Sequence, residues 1–183
     1  MKECYVFLAE GFEEIEALTV VDILRRDNIV VKMVSITNDR EVRGSHDIVV
    51  KADKVLSEIQ AGDAAILILP GGMPGTLNLK ECEPLMDMVR QFAGTNKRIA
   101  AICAAPTVLG DFGLLEGKKA CCYPGMEDQL KGAEVCMDDV VTDGNITTSR
   151  GLGTAIPFAL ELVRIFDSET EAGALKRKIV YNH

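Results

Sequence analysis

A cysteine stands at the predicted junction between a strand and a helix. The apolar segment RIAAI has the pattern of a short buried strand, and a helix is predicted to begin within Ala105–Leu109, so Cys103 occupies the turn between them. The first N–H groups of a helix point toward such a turn, and its positive end favours a thiolate. The sequence therefore predicts a reactive thiol with a pKa below the free value of ~8.5. The alternative is a buried cysteine that packs as a small hydrophobe.

Two further segments follow predicted strands and are expected to meet this cysteine, because functional groups of α/β sheets collect at the carboxyl ends of the strands. The segment AEGFEEIE carries Glu13, Glu14 and Glu16, and the segment LPGGMPG offers backbone N–H groups that suit an oxyanion. Burial and like charge would raise the pKa of a glutamate beside the thiol, which would then carry protons in catalysis. Acids of a helix start and glycines of a tight turn are the structural alternative.

The order of the predicted elements indicates an α/β fold. Hydrophobic spacing predicts helices in EEIEALTVVDILRRD, CEPLMDMVRQFAGTN, APTVLGDFG, GTAIPFALELVRIF and ETEAGALKRKIV. Strands are predicted in ECYVFLA, IVVKMVSI, AAILILP, RIAAIC, KACCY, AEVCM and VVTDGNITTS, and EVRG and DIVV could form a hairpin around Gly44 to His46. This alternation predicts a doubly wound, mostly parallel sheet sandwiched by helices, in a single domain over residues 1–183.

Composition and charge argue against several classes of partner. The chain has 183 residues and a formal net charge of −8, which disfavours binding to nucleic acid or to an anionic membrane. No apolar stretch approaches the ~18 residues of a membrane span, and no signal-peptide cleavage pattern is recognised. Six cysteines without CxxC or disulfide-framework spacing predict free thiols in a cytoplasmic protein. Two histidines give little support to a zinc site, so we expect no metal.

Four segments together resemble a known family. LAEGFEEIEALTVVDILRR, ILPGG, IAAICAAPTVLG and TSRGLGTA are similar to the ThiJ/PfpI superfamily, closest to the branch of the Parkinson-disease-associated deglycase and its bacterial relatives. The similarity runs over essentially the whole chain. It implies a flavodoxin-like sandwich, a homodimer and no cofactor. It also implies Cys103 as nucleophile and Glu16 as its protonated partner, with Gly72 and Ala104 as backbone oxyanion donors.

Two positions depart from the family pattern. Many relatives have a histidine near the cysteine, in the segment that here is CCYPG, and Tyr123 stands at the matching position. A tyrosine can donate a hydrogen bond to a substrate carbonyl. His46 replaces an arginine of the closest relatives near their dimer interface, so it is expected either to approach a partner's site or to be a solvated loop histidine. With Gly71, these two residues are the candidate substrate-binding positions.

Four functions follow from the resemblance and the residues. The first is a cysteine-dependent, cofactor-independent enzyme of the glyoxalase III or deglycase type, which converts methylglyoxal to lactate or repairs glycated amines. The second is a redox-sensing stress protein or chaperone in which Cys103 becomes a sulfinate held by Glu16. The third is thiazole monophosphate biosynthesis, an older family label that these residues do not support chemically. The fourth is a cysteine protease or amidase, which here lacks its histidine.

Two adjacent cysteines give oxidation a second possible outcome. Cys121 and Cys122 lie in the segment that leads to Tyr123, and alternation along a strand lets at most one of them face Cys103. A close thiol would capture the sulfenic acid of Cys103 as a disulfide, whereas without such a neighbour the acid proceeds to the sulfinate. We expect the sulfinate.

Overall fold

A mostly parallel sheet forms the centre of the protein. The computed structural model describes residues 3–182. In this part of the chain, the strands of the main sheet are β1 (Glu3–Leu8), β2 (Val31–Ser35), β5 (Lys54–Val55), β6 (Ala64–Leu69), β7 (Arg98–Ile102), β10 (Val140–Asp143) and β11 (Ile146–Ser149). Their spatial order is β10-β11-β7-β6-β1-β2-β5, and every neighbouring pair is parallel except β10 with β11. The predicted doubly wound fold is confirmed.

Helices cover both faces of this sheet. The first face carries α1 (Glu14–Arg26), α5 (Ala155–Phe166) and α6 (Glu169–Lys178), and the second carries α2 (Gly75–Glu81), α3 (Glu83–Gly94) and α4 (Pro106–Asp111). Alternate residues of β1 point to opposite layers, since Val6 packs in the first core cluster and Phe7 in the second. A strand buried on both faces explains the continuous apolar runs of the sequence.

The chain order reverses between β1 and β6, which makes this the switch point of the sheet. The chain leaves β1 toward β2 on one side and later continues from β6 to β7 on the other. In such folds, the crevice at the carboxyl ends of the two central strands is the usual ligand site. The segments AEGFEEIE and LPGGMPG follow these two strands, so the fold brings them side by side.

Two small sheets complete the structure. The predicted hairpin is present, with β3 (Glu41–Arg43) antiparallel to β4 (Val49–Lys51). The segments KACCY and AEVCM form shorter strands than predicted, as only β8 (Lys119–Ala120) and β9 (Glu134–Val135) pair, in parallel. Within residues 3–182, no helix is both long and apolar enough to cross a membrane.

Helix α2 is not predicted from the sequence. Its residues follow directly on the turn LPGGMPG, and glycine and proline are the residues that most disfavour a helix. The helix begins at Gly75 and buries Thr76 and Leu79. Because it is short and only one large apolar side chain is buried, its periodicity is too weak to detect in the sequence.

Candidate active site

Cys103 lies in a strained turn between β7 and α4. Its backbone has a φ of +66°, in the left-handed region that non-glycine residues rarely adopt and that costs on the order of 1–3 kcal/mol. Two hydrogen bonds hold the turn: Cys103 N–H donates to Ser149 O at 2.9 Å, and Tyr123 N–H donates to Cys103 O at 2.8 Å. Neighbouring segments therefore fix this conformation, and the thiol is held at the carboxyl end of β7.

Glu16 brings a buried carboxyl to the same end of the sheet. It lies in the first turn of α1, which is capped by Glu13 because the Glu13 side chain accepts a hydrogen bond from Glu16 N–H at 2.7 Å. Glu16 is 1% exposed, and its Oε2 accepts a hydrogen bond from Gly71 N–H at 2.9 Å. The carboxyl is also hydrogen-bonded to the side chain of Cys103. The thiol and the carboxyl thus form a hydrogen-bonded pair.

Two glycines provide the space in which this pair meets. A Cβ on Gly71 would lie 2.6 Å from Cys103 Cβ and 2.7 Å from Glu16 Oε2, so any side chain here would push the pair apart. Gly72 has a φ of +91°, and a Cβ there would lie 2.4 Å from Glu13 N. Glycine is therefore required at the first position by close approach and at the second by both conformation and space.

Backbone donors surround the sulfur. The N–H groups of Ala104 and Gly72 form hydrogen bonds with the sulfur of Cys103. Donors in this arrangement stabilise negative charge on the sulfur, or on an oxygen bound next to it. The structure therefore gathers five of the predicted site residues at one point: Cys103, Glu16, Gly71, Gly72 and Ala104.

Burial governs the protonation of the Cys103–Glu16 pair. Burial raises the pKa of Glu16 to about 7, against the hydrogen bonds from Cys103 and Gly71. Burial first, and the charge of Glu16 second, raise the pKa of the Cys103 thiol to about 12, while Ala104 and Gly72 oppose this shift. Both shifts disfavour the state in which both groups are charged. The pair therefore keeps at least one proton around neutral pH, and the thiol stays protonated.

This result corrects the expectation of a lowered pKa for the Cys103 thiol. That expectation counted the positive helix end and left out the burial of the thiol beside a carboxylate. Helix α4 begins only at Pro106 and has six residues, so its charge effect at Cys103 is small. The proton shared with Glu16, rather than the helix end, is the feature that could make the sulfur reactive.

Tyr123 and Gly151 border the other side of the sulfur. A Cβ on Gly151 would lie 3.9 Å from Cys103 Sγ and 3.4 Å from Tyr123 Cδ2. A pocket of about 300 Å³ opens here, lined by Tyr123, Pro124, Asp139, Arg150, Gly151, Leu152, Gly153 and Thr154. Two larger clefts of about 500 and 520 Å³ lie against the last helices, and neither Cys103 nor Glu16 lines any of these three pockets. The 300 Å³ pocket adjoins the thiol through Gly151 and Tyr123, and its volume suits a small molecule.

His46 lies in the hairpin loop and binds Glu14 rather than the thiol. Its Nδ1 is 3.0 Å from Glu14 Oε2, and its backbone N–H donates to Glu14 Oε1 at 2.7 Å. Burial alone would raise the pKa of Glu14, but the hydrogen bonds from His46 and Ile48 lower it to about 2. The hydrogen bond and charge of Glu14 in turn raise the pKa of His46, whose side chain is 68% exposed. Within this chain, His46 is therefore an anchor of the hairpin.

One group of donor atoms in the described part of the chain has the spacing of a metal site. Ligand atoms of Glu13, Glu14 and His46 lie within 4.8 Å of one another. Glu13 already caps α1, and both oxygens of Glu14 accept hydrogen bonds from the hairpin. We therefore assign this cluster a structural role. Sequence reasoning missed it because His46 is 32 residues from Glu14 in the chain.

The fold and the site define a class of protein: a flavodoxin-like α/β sandwich with a cysteine at a strand-to-helix turn, hydrogen-bonded to a buried glutamate. The chain matches the DJ-1/PfpI family, also called ThiJ/PfpI, over residues 2–165. It therefore belongs to the DJ-1/PfpI family, which confirms the resemblance seen in the four sequence segments.

Individual relatives agree with this assignment. The chain is 32% identical over 183 residues to the Parkinson disease protein 7 homolog of Danio rerio, covering 98% of this chain and 97% of that protein. It is 40% identical over 164 residues to Protein DJ-1 homolog B of Arabidopsis thaliana, covering 88% of this chain but only 37% of the longer plant protein. The solved structure of oxidized Toxoplasma gondii DJ-1 has a TM-score of 0.95 and 34% identity, covering 100% of both chains.

Proposed function

We propose that the protein is a cofactor-independent enzyme on small reactive carbonyls, of the glyoxalase III or deglycase type. The observation that carries the proposal is the hydrogen-bonded pair of Cys103 and Glu16, which holds the thiol proton next to a carboxyl group and close to a small pocket. Transfer of that proton from Sγ to the carboxylate produces a thiolate without any exchange with solvent. A thiolate is the nucleophilic form of cysteine, and aldehydes are its natural electrophiles.

The first half of the reaction forms a covalent adduct. The Cys103 thiolate attacks the aldehyde carbon of methylglyoxal, an S–C bond forms, and the carbonyl oxygen becomes an oxyanion. The N–H groups of Gly72 and Ala104 supply hydrogen bonds to that oxygen. Protonation by the Glu16 carboxyl then gives a neutral hemithioacetal and restores the carboxylate.

The second half is an internal redox step followed by hydrolysis. The Glu16 carboxylate removes the proton from the carbon bound to sulfur and returns it to the neighbouring carbon, while the hydroxyl proton of the first carbon passes to the oxygen of the second. The first carbon is thereby oxidised and the second reduced. The product is a lactoyl thioester, which water cleaves to lactate and the free thiol. The sum is methylglyoxal plus water to lactate. When the same carbonyl is held as a hemiaminal, the thiolate forms the S–C bond as the C–N bond breaks, and the Glu16 carboxyl protonates the leaving nitrogen. The repaired amine is released, and the hemithioacetal that remains continues to lactate as above.

Lactate formation from methylglyoxal without glutathione tests this proposal. We expect lactate from the full chain and none above background from Cys103→Ser at matched protein concentration. Tyr123 borders the pocket with a half-exposed ring, where its hydroxyl can donate a hydrogen bond to the second carbonyl. Equal lactate from the two proteins, or none from either, would contradict the proposed activity.

A redox-sensing role is the second candidate. The carboxyl of Glu16 is hydrogen-bonded to a partly exposed sulfur, and such a donor would hold an oxygen of a Cys103 sulfinate. The solved structure of oxidized Toxoplasma gondii DJ-1 supports this proposed role. Mass measurement after mild peroxide treatment tests it: two added oxygens on the peptide of Cys103 are expected. An unmodified Cys103 beside other oxidised cysteines would reject it.

We also propose a cytoplasmic homodimer. The six cysteines are free thiols in the structure, which fits a reducing compartment. Ile15 at the start of α1 and Ile48 and Val49 in the hairpin are apolar and exposed, and they provide a surface for a second copy of the chain. Sedimentation at micromolar concentration checks the dimer, and Ile48→Glu should dissociate it. A single species near the 19.9 kDa chain mass in the unaltered protein would reject it.

A further inference from the structure

Two cysteines far apart in sequence stand opposite each other at the end of the small sheet formed by β8 and β9. The strands are parallel, with Ala120 opposite Val135. The next backbone bond continues this register, since Cys136 N–H donates to Ala120 O at 2.8 Å. One position further along each strand, Cys121 therefore faces Cys136.

The two thiols lie on the same face of this strand pair. Side chains alternate between faces, so Cys121 and Cys136 share the face of Lys119 and Glu134, two positions earlier. There the opposed side chains meet, with Lys119 Nζ 3.7 Å from Glu134 Oε1. Paired strands are about 4.8 Å apart, and disulfides span Cα separations of about 4.4–6.8 Å. The register thus places the two thiols within bonding reach, and both are reduced in the structure.

The surroundings of the two thiols differ. Cys121 is fully buried, with its Sγ 3.6 Å from Thr148 Oγ1, whereas Cys136 is partly exposed. Arg150 lies beside them, as its Nη1 donates to Met137 O at 3.3 Å and its positive charge acts on the Cys121 thiol. An oxidant from solvent therefore meets Cys136 first. Burial raises the pKa of the Cys121 thiol, and the hydroxyl of Thr148 and the charge of Arg150 oppose this shift.

We propose that Cys121 and Cys136 form a reversible disulfide when hydrogen peroxide oxidises the protein. The Cys136 thiolate attacks peroxide, an S–O bond forms, the O–O bond breaks, and the released hydroxide takes up a proton to give water. The Cys121 thiolate then attacks the sulfenic sulfur, the S–S bond forms, the S–O bond breaks, and a second water leaves. Two thiols lose two electrons and two protons, and one peroxide becomes two waters.

This pair is separate from the Cys103 site. The neighbouring Cys122 faces the opposite layer and packs in the cluster beneath α3 and α4. The side chain of Cys103 is hydrogen-bonded to Glu16 and not to Cys121 or Cys136. From the sequence, Cys121 or Cys122 is a candidate partner for an oxidised Cys103, whereas the structure places Cys121 opposite Cys136.

Peptide mapping tests the proposal in a background that lacks the active-site thiol. Trypsin separates the relevant cysteines, because residues 99–118 carry Cys103, residues 120–131 carry Cys121 and Cys122, and residues 132–150 carry Cys136. In full-length Cys103→Ser treated with hydrogen peroxide and then alkylated, we expect the second and third peptides to be joined, with the loss of two hydrogens. Dithiothreitol should separate them. The result does not depend on the proposed enzyme activity.

Single substitutions identify the bonded sulfur atoms. Cys122→Ala should keep the cross-link, because that thiol faces the other layer, and Cys82→Ser serves as the control for loss of a thiol elsewhere. Cys121→Ser and Cys136→Ser should each abolish the cross-link. A cross-link that survives Cys121→Ser would overturn the proposal. So would a Cys136 that gains oxygen atoms in the otherwise unaltered chain while the two peptides stay separate.

Discussion

Glu14 and Glu16 stand two residues apart at the start of α1, and both are buried, at 2% and 1% exposure, yet their pKa values move in opposite directions. At Glu14, burial would raise the pKa, but hydrogen bonds from His46 and Ile48 outweigh it and bring the value to about 2. At Glu16, burial prevails and raises the pKa to about 7, although a thiol and one backbone N–H are bonded to the carboxyl.

The difference shows that the partners of a buried carboxyl decide its charge. The imidazole of His46 can carry a positive charge, so the carboxylate of Glu14 is stable beside it. The thiol of Cys103 is itself an acid and brings no positive charge, so the thiol and the carboxyl of Glu16 are not both ionised near neutral pH. One glutamate therefore anchors the hairpin, whereas the other keeps a raised pKa next to the candidate nucleophile, as the proposed proton transfer requires.

Removal of the thiol has the largest expected effect. Cys103→Ser should reduce lactate formation from methylglyoxal to background, because a hydroxyl beside Glu16 is a far weaker nucleophile than a thiolate. Near-native stability in a thermal melt would show that the loss is chemical. A serine variant with the wild-type rate would remove Cys103 from the mechanism.

Removal of the proton carrier comes next. Glu16→Ala should lower kcat by about 10²–10⁴-fold, which is the usual contribution of a positioned acid or base. The matched control is Glu14→Gln, which lies two residues away, is equally buried and does not contact Cys103. It should keep kcat within a few-fold. Comparable losses in both variants would mean that the helix start as a whole, and not the Glu16 carboxyl, supports the activity.

Stability against pH should separate the two glutamates. The lowered pKa of Glu14 contributes stability that is present above pH 4.5 and is lost as the pH falls toward about 2. Glu14→Gln should therefore lose about 2–3 kcal/mol near neutral pH and approach the wild type in acid. The raised pKa of Glu16 acts in the opposite sense, so Glu16→Gln should gain on the wild type as the pH rises from 4.5 to about 7. Parallel melting curves for both variants would contradict the comparison.

The smallest effect is expected at the border of the pocket. Tyr123→Phe removes one hydrogen bond to a substrate oxygen, which is worth about 1 kcal/mol, so kcat/KM should fall by about 5-fold. The ring stays in place beside Gly151 because its packing is unchanged. A loss as large as that of Glu16→Ala would instead make the tyrosine hydroxyl part of the chemistry.

The sequence was sufficient for features that depend on local pattern. Alternating apolar runs and helix-start residues predicted the main strands, the hairpin and α1, and the position of Cys103 at the carboxyl end of β7 followed from strand order alone. The choice of Glu16 among three glutamates came from the family resemblance. Geometry shows why the three differ: Glu13 caps α1, Glu14 binds His46, and Glu16 meets the thiol.

Features that depend on distant pairing were not visible in the sequence. The direction of the Cys103 pKa shift required the burial of the Cys103–Glu16 pair, which no local pattern reports. The facing of Cys121 and Cys136 required the register between β8 and β9, and a shift of one residue would turn one thiol to the opposite layer. Burial and strand register of this kind can be determined only from the three-dimensional structure.

The alkylation rate of Cys103 at neutral pH tests the central claim most directly, because it reports the reactivity of the sulfur beside Glu16 without any assumption about substrate. The folded protein is exposed briefly to iodoacetamide and then mapped with trypsin. The map compares Cys103 with Cys82, which is partly exposed and does not belong to the Cys103–Glu16 pair. If the Glu16 carboxylate takes the thiol proton as the sulfur attacks, the peptide of Cys103 is labelled first, although burial raises the pKa of this thiol. If Cys82 or the buried Cys4 is labelled before it, Cys103 is an ordinary thiol and the account is wrong.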